Sequence, residues 1–598
     1  MLGKLSFYVT RVGVFLIPLA LVIGMAGFDG AGGVLLSPPG QNSVPQNLEI
    51  RDWYDLDAIR NNLAGNHTLM NDLDLTSPGY EELASPLADQ GEGWDPIGFV
   101  RRTCWDSPCG GGGCDTEWYG LNGTFDGQGY GIRGLFINRR NEDGVGLFGA
   151  VNEGGVIKAI SVVNAIVVGD SYVGGLVGRN RGTVSNSCSS GVVEGYQGVG
   201  GLVGVNHQGI VGDSYSSGGV TGSQYVGTLV GINYGGTVSD SYSTGNVTGN
   251  EDVGGLLGTN DGGTISNSYY DYDKILINRD SVITLGALSD EDFDQWLTHG
   301  KSLDVNERLP QEDGYYVVSN ATDFKQLLAF GQDDSLKFRL ANDLDLGDEP
   351  NFYIPYLAGE FDGNGHKILN LSFNFDFVSS VGLFGYLAPG GKVTRVCLEG
   401  ADIAGHGCIG GLVGESYGTV TNSYSSGSVT GATDVGGLVG LNGGTVRDSY
   451  STGSVTGDWY LGGLVGINDW GTVINSYSTG SVSGDWLVGG LLGVNNGGTM
   501  SSCYSTGSVT GDEDVGGLLG INDRGTVSKS FWDVQTSGQT KSDGGTGRTT
   551  AKMKDVATFS GAGWDIVGVA NADVRNPSHV WNMVDGQTYP FLSWQAVP

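Results

Sequence analysis

A glycine-bounded phrase recurs eleven times along this chain at an almost fixed interval. In the second half it reads IGGLVG from Ile409, VGGLVG from Val435, LGGLVG from Leu461, and VGGLLG from Val488 and Val515, with spacings of 26, 26, 27 and 27 residues. In the first half it reads VGGLVG from Val173 and Val199, VGTLVG from Val226 and VGGLLG from Val253, spaced 26, 27 and 27. Each array opens with a variant, VGLFG, at Val145 and Val381. A fixed period between roughly 20 and 50 residues marks a stacked repeat, whose units cannot bury a core singly.

The unit beginning at Leu461 shows what stacks. Leu-Val between glycines reads as a short strand, and Asn-Asp-Trp-Gly as a turn. Thr472 to Ser478 reads as a second strand, Ser-Val-Ser as a third, and Gly-Asp-Trp as the last turn. In register, each strand pairs with its copy in the next coil at about 4.8 Å, so like residues form ladders. A tyrosine ladder is expected at Tyr215, Tyr242 and Tyr269, and at Tyr424, Tyr450, Tyr477 and Tyr504, ending in Phe531. The predicted fold is all-β: a right-handed parallel β-solenoid of about 26–27-residue coils in two arrays, with small helical caps.

A related block precedes each array. The first runs from Asp52 through NDLDL at Asn71 to GTFDGQG at Gly123; the second from Asn320 through NDLDL at Asn342 to GEFDGNG at Gly359. Each block opens as an amphipathic helix. Asn320 is a good N-cap, and Phe324, Leu327 and Leu328 share a face. The expected organisation is a leader over 1–31, a capping block over 45–144, array 1 over 145–270 and a spacer with a short helix capped by Ser289 over 271–316. Capping block 2 over 317–380, array 2 over 381–531 and a C-terminal cap over 532–598 complete it.

Lys4 and Arg11 precede an uncharged apolar run from Val12 to Phe28, ending in small residues, Gly24-Met25-Ala26-Gly27. This is the pattern of an export signal, favoured over a retained anchor by its length of 17 residues. Membrane contact is expected only through that segment. Acids outnumber bases 65 to 30, a formal charge of -35, which argues against a nucleic-acid partner. Of seven cysteines, Cys104, Cys109 and Cys114 cluster in CWDSPCGGGGC. Their spacing, with no fourth ligand nearby, suits a loop disulfide better than zinc. Cys188 and Cys503 read as small core fillers, and Cys397 and Cys408 are close enough in sequence to pair.

The phrase GGLVGxNxGGTVxNSYSTGSVTG resembles the GLUG-motif repeat family, over Val145 to Tyr269 and Val381 to Phe531. The resemblance implies a secreted or cell-surface bacterial or archaeal protein. Related repeats occur in adhesin-like proteins and beside the catalytic domains of immunoglobulin-A-cleaving metallopeptidases. Such a peptidase needs H-E-x-x-H. None of the six histidines is followed by Glu, so that activity is not carried over. A β-helix lyase or glycosidase needs carboxylates converging in one coil. Here acids recur with the repeat, at Asp434, Asp458, Asp485 and Asp512. No cofactor is expected, with calcium at these turns the alternative.

Aromatic residues also gather at this last turn: Trp459, Tyr460 and Trp486 in the second array, Tyr196 and Tyr225 in the first. Exposed rings there suit a sugar or a protein surface. The reading is a non-enzymatic, adhesin-like surface scaffold that binds an extracellular glycan or protein. The alternatives are a polysaccharide-acting enzyme or a stalk of a larger surface assembly.

Overall fold

The computed structural model describes residues 47–105 and 113–595. The leader expected over 1–31 lies outside them. So do Cys109 and the disulfide expected among Cys104, Cys109 and Cys114. The backbones of Cys104 and Cys114 are register partners in the antiparallel hairpin Phe99–Trp105 and Gly113–Tyr119.

The chain is a parallel β-solenoid. One coil of the second array carries five short strands: Val465–Asp469, Thr472–Ile474, Tyr477–Ser478, Val482–Ser483 and Trp486–Gly489. Each pairs in parallel with its copy one coil on. The register partners are Val465 with Leu492, Thr472 with Thr499, Tyr477 with Tyr504, Val482 with Val509 and Trp486 with Glu513. Sequence periodicity gives three strands, and two of its assignments are corrected. The first strand starts at the Val after Gly-Gly-Leu, and the aromatics of the expected last turn, Trp459, Tyr460 and Trp486, stand on strands.

Corners come from residues in the left-handed region, here Trp470 (φ 55°), Asn475 (φ 50°) and Leu487 (φ 59°). The middle corner is Asn or Asp in most coils, the side chains that tolerate this conformation best. The glycines of the repeat serve close approach instead. A Cβ on Gly489 would stand 1.8 Å from Leu492 O, one on Gly490 2.3 Å from Gly517 O, and one on Gly493 2.6 Å from Leu461 N. Each would collide with backbone, two of them with that of a neighbouring coil. That is the physical content of GGLLG.

Inside the coils, apolar side chains stack in files. Leu438, Leu464, Leu491 and Leu518 are all fully buried. Two polar files run with them. Asn442, Asn468 and Asn495 are fully buried, and each donates through Nδ2 to Oδ1 of the next Asn at 2.8 Å, ending on Asn522. The first array repeats this from Asn180 through Asn206 and Asn233 to Asn260. Serine hydroxyls form the second file. Ser449 N donates to Ser476 Oγ at 3.2 Å, and Ser476 Oγ donates to Ile474 O at 2.8 Å. Buried amides and hydroxyls are tolerated because they find partners in the adjacent or their own coil, with Asn442 Oδ1 at the head of its file the exception.

Cys503 takes a serine's place in this file, fully buried, as a small core filler. Cys188 does not fill the core. It is half-buried and heads the tyrosine ladder of array 1, in register with Tyr215, as Cys397 does with Tyr424 in array 2. Neither Cys397 nor Cys408 is in a disulfide, so the pairing that their sequence proximity allows is not made.

The tyrosine ladders form on the outer face as expected. Ring centroids are 4.9 Å apart for Tyr215–Tyr242, and 4.7, 4.9 and 4.8 Å for the steps from Tyr424 through Tyr450 and Tyr477 to Tyr504. A later segment roofs each ladder. Helix Asp290–Thr298 is capped by Ser289, whose side chain accepts from Asp292 N. It lays Phe293 and Trp296 on Tyr242, and Trp296 also on Tyr269. Residues 549–595 lie back along the second ladder. Trp594 Nε1 donates to Asp448 O at 2.8 Å and Gln595 Nε2 to the Tyr477 hydroxyl at 2.7 Å. Phe559, Trp564, Trp581 and Leu592 pack on Tyr504 and Phe531.

One contiguous apolar core runs through both arrays. At their junction Ser268 N donates to Gln332 Oε1 (3.2 Å) and Gln332 Nε2 donates to Ser268 O (3.1 Å), a side-chain amide pairing where the next strand of a coil would stand. Short helices Ala321–Lys325 and Leu327–Phe330 pack here, with Asn320 accepting from Asp323 N as the N-cap. Among the described residues no helix is long and apolar enough to cross a membrane.

Candidate functional site

Trp459 and Trp486 are register partners in successive coils. Because each coil repeats the backbone of the last, their indoles lie parallel, 5.1 Å apart with an 8° interplanar angle. Trp459 is 40% exposed and Trp486 half-buried. Tyr460 turns its ring 48° to Trp459 at 6.2 Å. Thr433 precedes the pair in the same row and Glu513 follows it. Exposed Asp458 and Asp485 sit one residue before each Trp. The result is a platform of two indoles stacked face to face on each other, with carboxylates at its border. Such a pair offers its remaining apolar ring surface to a sugar ring or another aromatic, and repels an anion.

The structure separates the first-array residues from this row. The positions two residues before Val199, Val226 and Val253 are Gln197, Gln224 and Glu251, and these occupy the tryptophan row's place. Tyr225 sits one residue later, in the left-handed position (φ 55°) that Tyr460 holds in array 2. Tyr196 is 53% exposed and stands one residue before the row. A shared turn in the sequence thus becomes three distinct positions, since adjacent residues on a strand point to opposite faces. Trp470, 62% exposed, is at a different corner, stacked over Gly497 of the next coil.

A second ring cluster escapes sequence reading. Trp118, on the hairpin inserted in the first block, has its ring 6.2 Å from that of His207, which lies 4.9 Å from Tyr234. The guanidinium of Arg181 stands 5.0 Å from the Trp118 ring centroid. The signal available in the sequence is that Arg181, His207 and Tyr234 each follow the ladder asparagine of their coil. Trp118 carries no such signal, because the hairpin lies outside the period. Burial, then the nearby charges of Arg181 and Arg179, hold His207 below the ordinary imidazole range. Among the described residues, no group of three or more His, Cys, Asp or Glu side chains is placed to hold a metal ion.

Comparison with known proteins bears on the scaffold. The family model described as the GLUG motif matches 405–430, 431–456 and 457–483. Residues 405–483 are three GLUG motifs. Each matched motif starts near the end of the long outer-face stretch and runs once round the coil, and the third contains Trp459. Halomucin of Haloquadratum walsbyi is 31% identical over 170 residues, 28% of this chain and 2% of halomucin. A putative Gly-rich membrane protein of Evansella cellulosilytica is 30% identical over 152 residues, 25% of this chain and 15% of that protein. The chain thus spans only a small part of either relative. No solved structure matches.

Proposed function

We propose that this chain is an exported, non-enzymatic surface scaffold whose second GLUG array presents the Trp459–Trp486 platform to an uncharged extracellular glycan. The observation that carries the reading is the parallel, partly exposed indole pair bordered by Asp458, Asp485 and Glu513. Single exposed aromatics are common on proteins, but two held parallel by the coil repeat form a preorganised surface that binding need not order. The carboxylate border favours a neutral sugar over an acidic one.

Three further facts support a surface location. The N-terminal sequence has the charge and apolar pattern of a leader. The formal charge of -35 suits a solvated, self-repelling exterior. The relatives that match are a protein called halomucin and one called a Gly-rich membrane protein. The test is a glycan and matrix-protein array with the chain from about Gly32, run with and without calcium. Specific capture of neutral glycans supports the reading. A blank array with folded protein turns it towards a purely structural stalk.

A further inference from the structure

The ring cluster on the first array has the opposite electrostatic character to the tryptophan platform. Trp118, His207 and Tyr234 form an adjoining strip along the outer face, with Tyr234 38% exposed and the other two half-buried. Asn152 fixes the strand end by donating from Nδ2 to Trp118 O at 3.3 Å. Arg181 lies against Trp118 with its guanidinium in cation–π contact. Among the described residues no carboxylate lies within ion-pair distance of that guanidinium, although Arg179, two residues away, is paired with Asp143 at 3.4 Å. In a chain with 65 acids and 30 bases, Arg181 is thus a cation held on an aromatic face with none of the chain's carboxylates upon it. Asp261 closes the row at its far end, three coils on from Arg181.

The geometry points to a binding site for a carboxylate-bearing sugar on the first array, with the ring on the Trp118–His207–Tyr234 strip and the carboxylate on Arg181. The guanidinium is the group best matched to a carboxylate, because two parallel N–H donors meet its two oxygens. Its stacking on Trp118 holds that fork in place before the ligand arrives. The neutral state of His207 lets its ring act as an apolar surface beside Trp118. The overall negative charge opposes a polyanion at long range. At physiological ionic strength that repulsion is screened beyond about 8 Å, and the contact with Arg181 decides. This site does not rest on the tryptophan platform of the second array.

The experiment is calorimetric titration of the chain with trigalacturonate, a hyaluronan tetramer and sialyllactose, with the methyl ester of trigalacturonate as the uncharged control. At least one acidic sugar is expected to bind, and the ester to bind about tenfold more weakly or not at all, as expected for loss of a charge-assisted hydrogen bond. Arg181→Gln and, separately, Trp118→Ala should each abolish the preference for acid over ester with an unchanged melting temperature. Arg181→Lys, which keeps the charge but not the fork, should recover only part of it. Trp459→Ala should leave this binding intact. Failure of all three acids to bind, equal affinity for acid and ester, or full binding by folded Arg181→Gln would each overturn the assignment.

Discussion

The indole of Trp532 occupies the space that a side chain on Gly517 would need: a Cβ there would fall 2.1 Å from Trp532 Cδ1. Trp532 stands in register with Ser505, so the last coil replaces the small serine of the repeat with the largest side chain available. Tyr270 does the same over Gly255 at the end of array 1. A bulky plug and the loop over 541–543 together close the open end. Lys541 O accepts from Gly517 N, Ser542 Oγ accepts from Leu519 N, and Asp543 Oδ2 accepts from Asn522 N. Unclosed, this end would offer free strand edges to other chains.

Trp532→Ser restores the repeat and removes the plug. It should cost about 3–5 kcal/mol, the usual range for emptying a buried Trp site, and should promote self-association. Thermal unfolding and sedimentation velocity check both. An unchanged melting temperature with a monodisperse boundary would contradict the plug.

Gly493→Ala places a methyl against the backbone of the preceding coil. Overpacking of this kind costs about 1–3 kcal/mol. Gly219→Ala is the matched control: nothing lies within 4 Å of a Cβ built there. Chemical denaturation should separate the two variants. Equal midpoints would mean that the repeat's glycines are not there for close approach.

Asn495→Ala removes the acceptor of Asn468 and the donor to Asn522. At about 1–3 kcal/mol for each buried group left unpaired, the expected loss is about 2–6 kcal/mol. Asn250→Ala, which breaks only an exposed contact to Ser223, should stay within about 0.5 kcal/mol of wild type. A similar small effect at Asn495 would remove the asparagine file from the account of stability.

Burial raises the ladder tyrosines above the ordinary phenol range, Tyr450 to about 12 and fully buried Tyr504 well above its usual value. In the unfolded chain these tyrosines begin to ionise near pH 10, whereas in the folded one they do not. Folding stability should therefore be unaffected below that pH and fall as pH rises above it. In a spectrophotometric titration, exposed tyrosines should ionise first, and the ladder only together with loss of the near-ultraviolet dichroism of the aromatic stack. Ionisation of all 26 tyrosines in one step near pH 10 with the fold intact would be the contrary result.

The solenoid was legible in the sequence because its information is local and periodic. The spacing set the coil, Tyr215 to Tyr269 and Tyr424 to Phe531 announced the ladders, and Asn320 and Ser289 announced helix starts. The corner at Leu487 was not, since it carries no glycine or asparagine signal, whereas the one at Trp470 was read as a turn from Asn-Asp-Trp-Gly. Nor were the roofs. Trp594 meets Asp448 across 146 residues, a contact with no periodic trace. For the candidate site, the tryptophan pair could be read from the period. Its separation from Tyr196 and Tyr225 depended on a one-residue offset that changes the face of the strand.

The most direct test of the account is to measure binding of the neutral glycan captured on the array to four forms of the chain: wild type, Trp459→Ala, the Trp459→Ala/Trp486→Ala double variant and Trp470→Ala. The account predicts weaker binding by the single variant, none by the double variant, and full binding by Trp470→Ala, all with wild-type circular dichroism. Full binding by a folded double variant would contradict it.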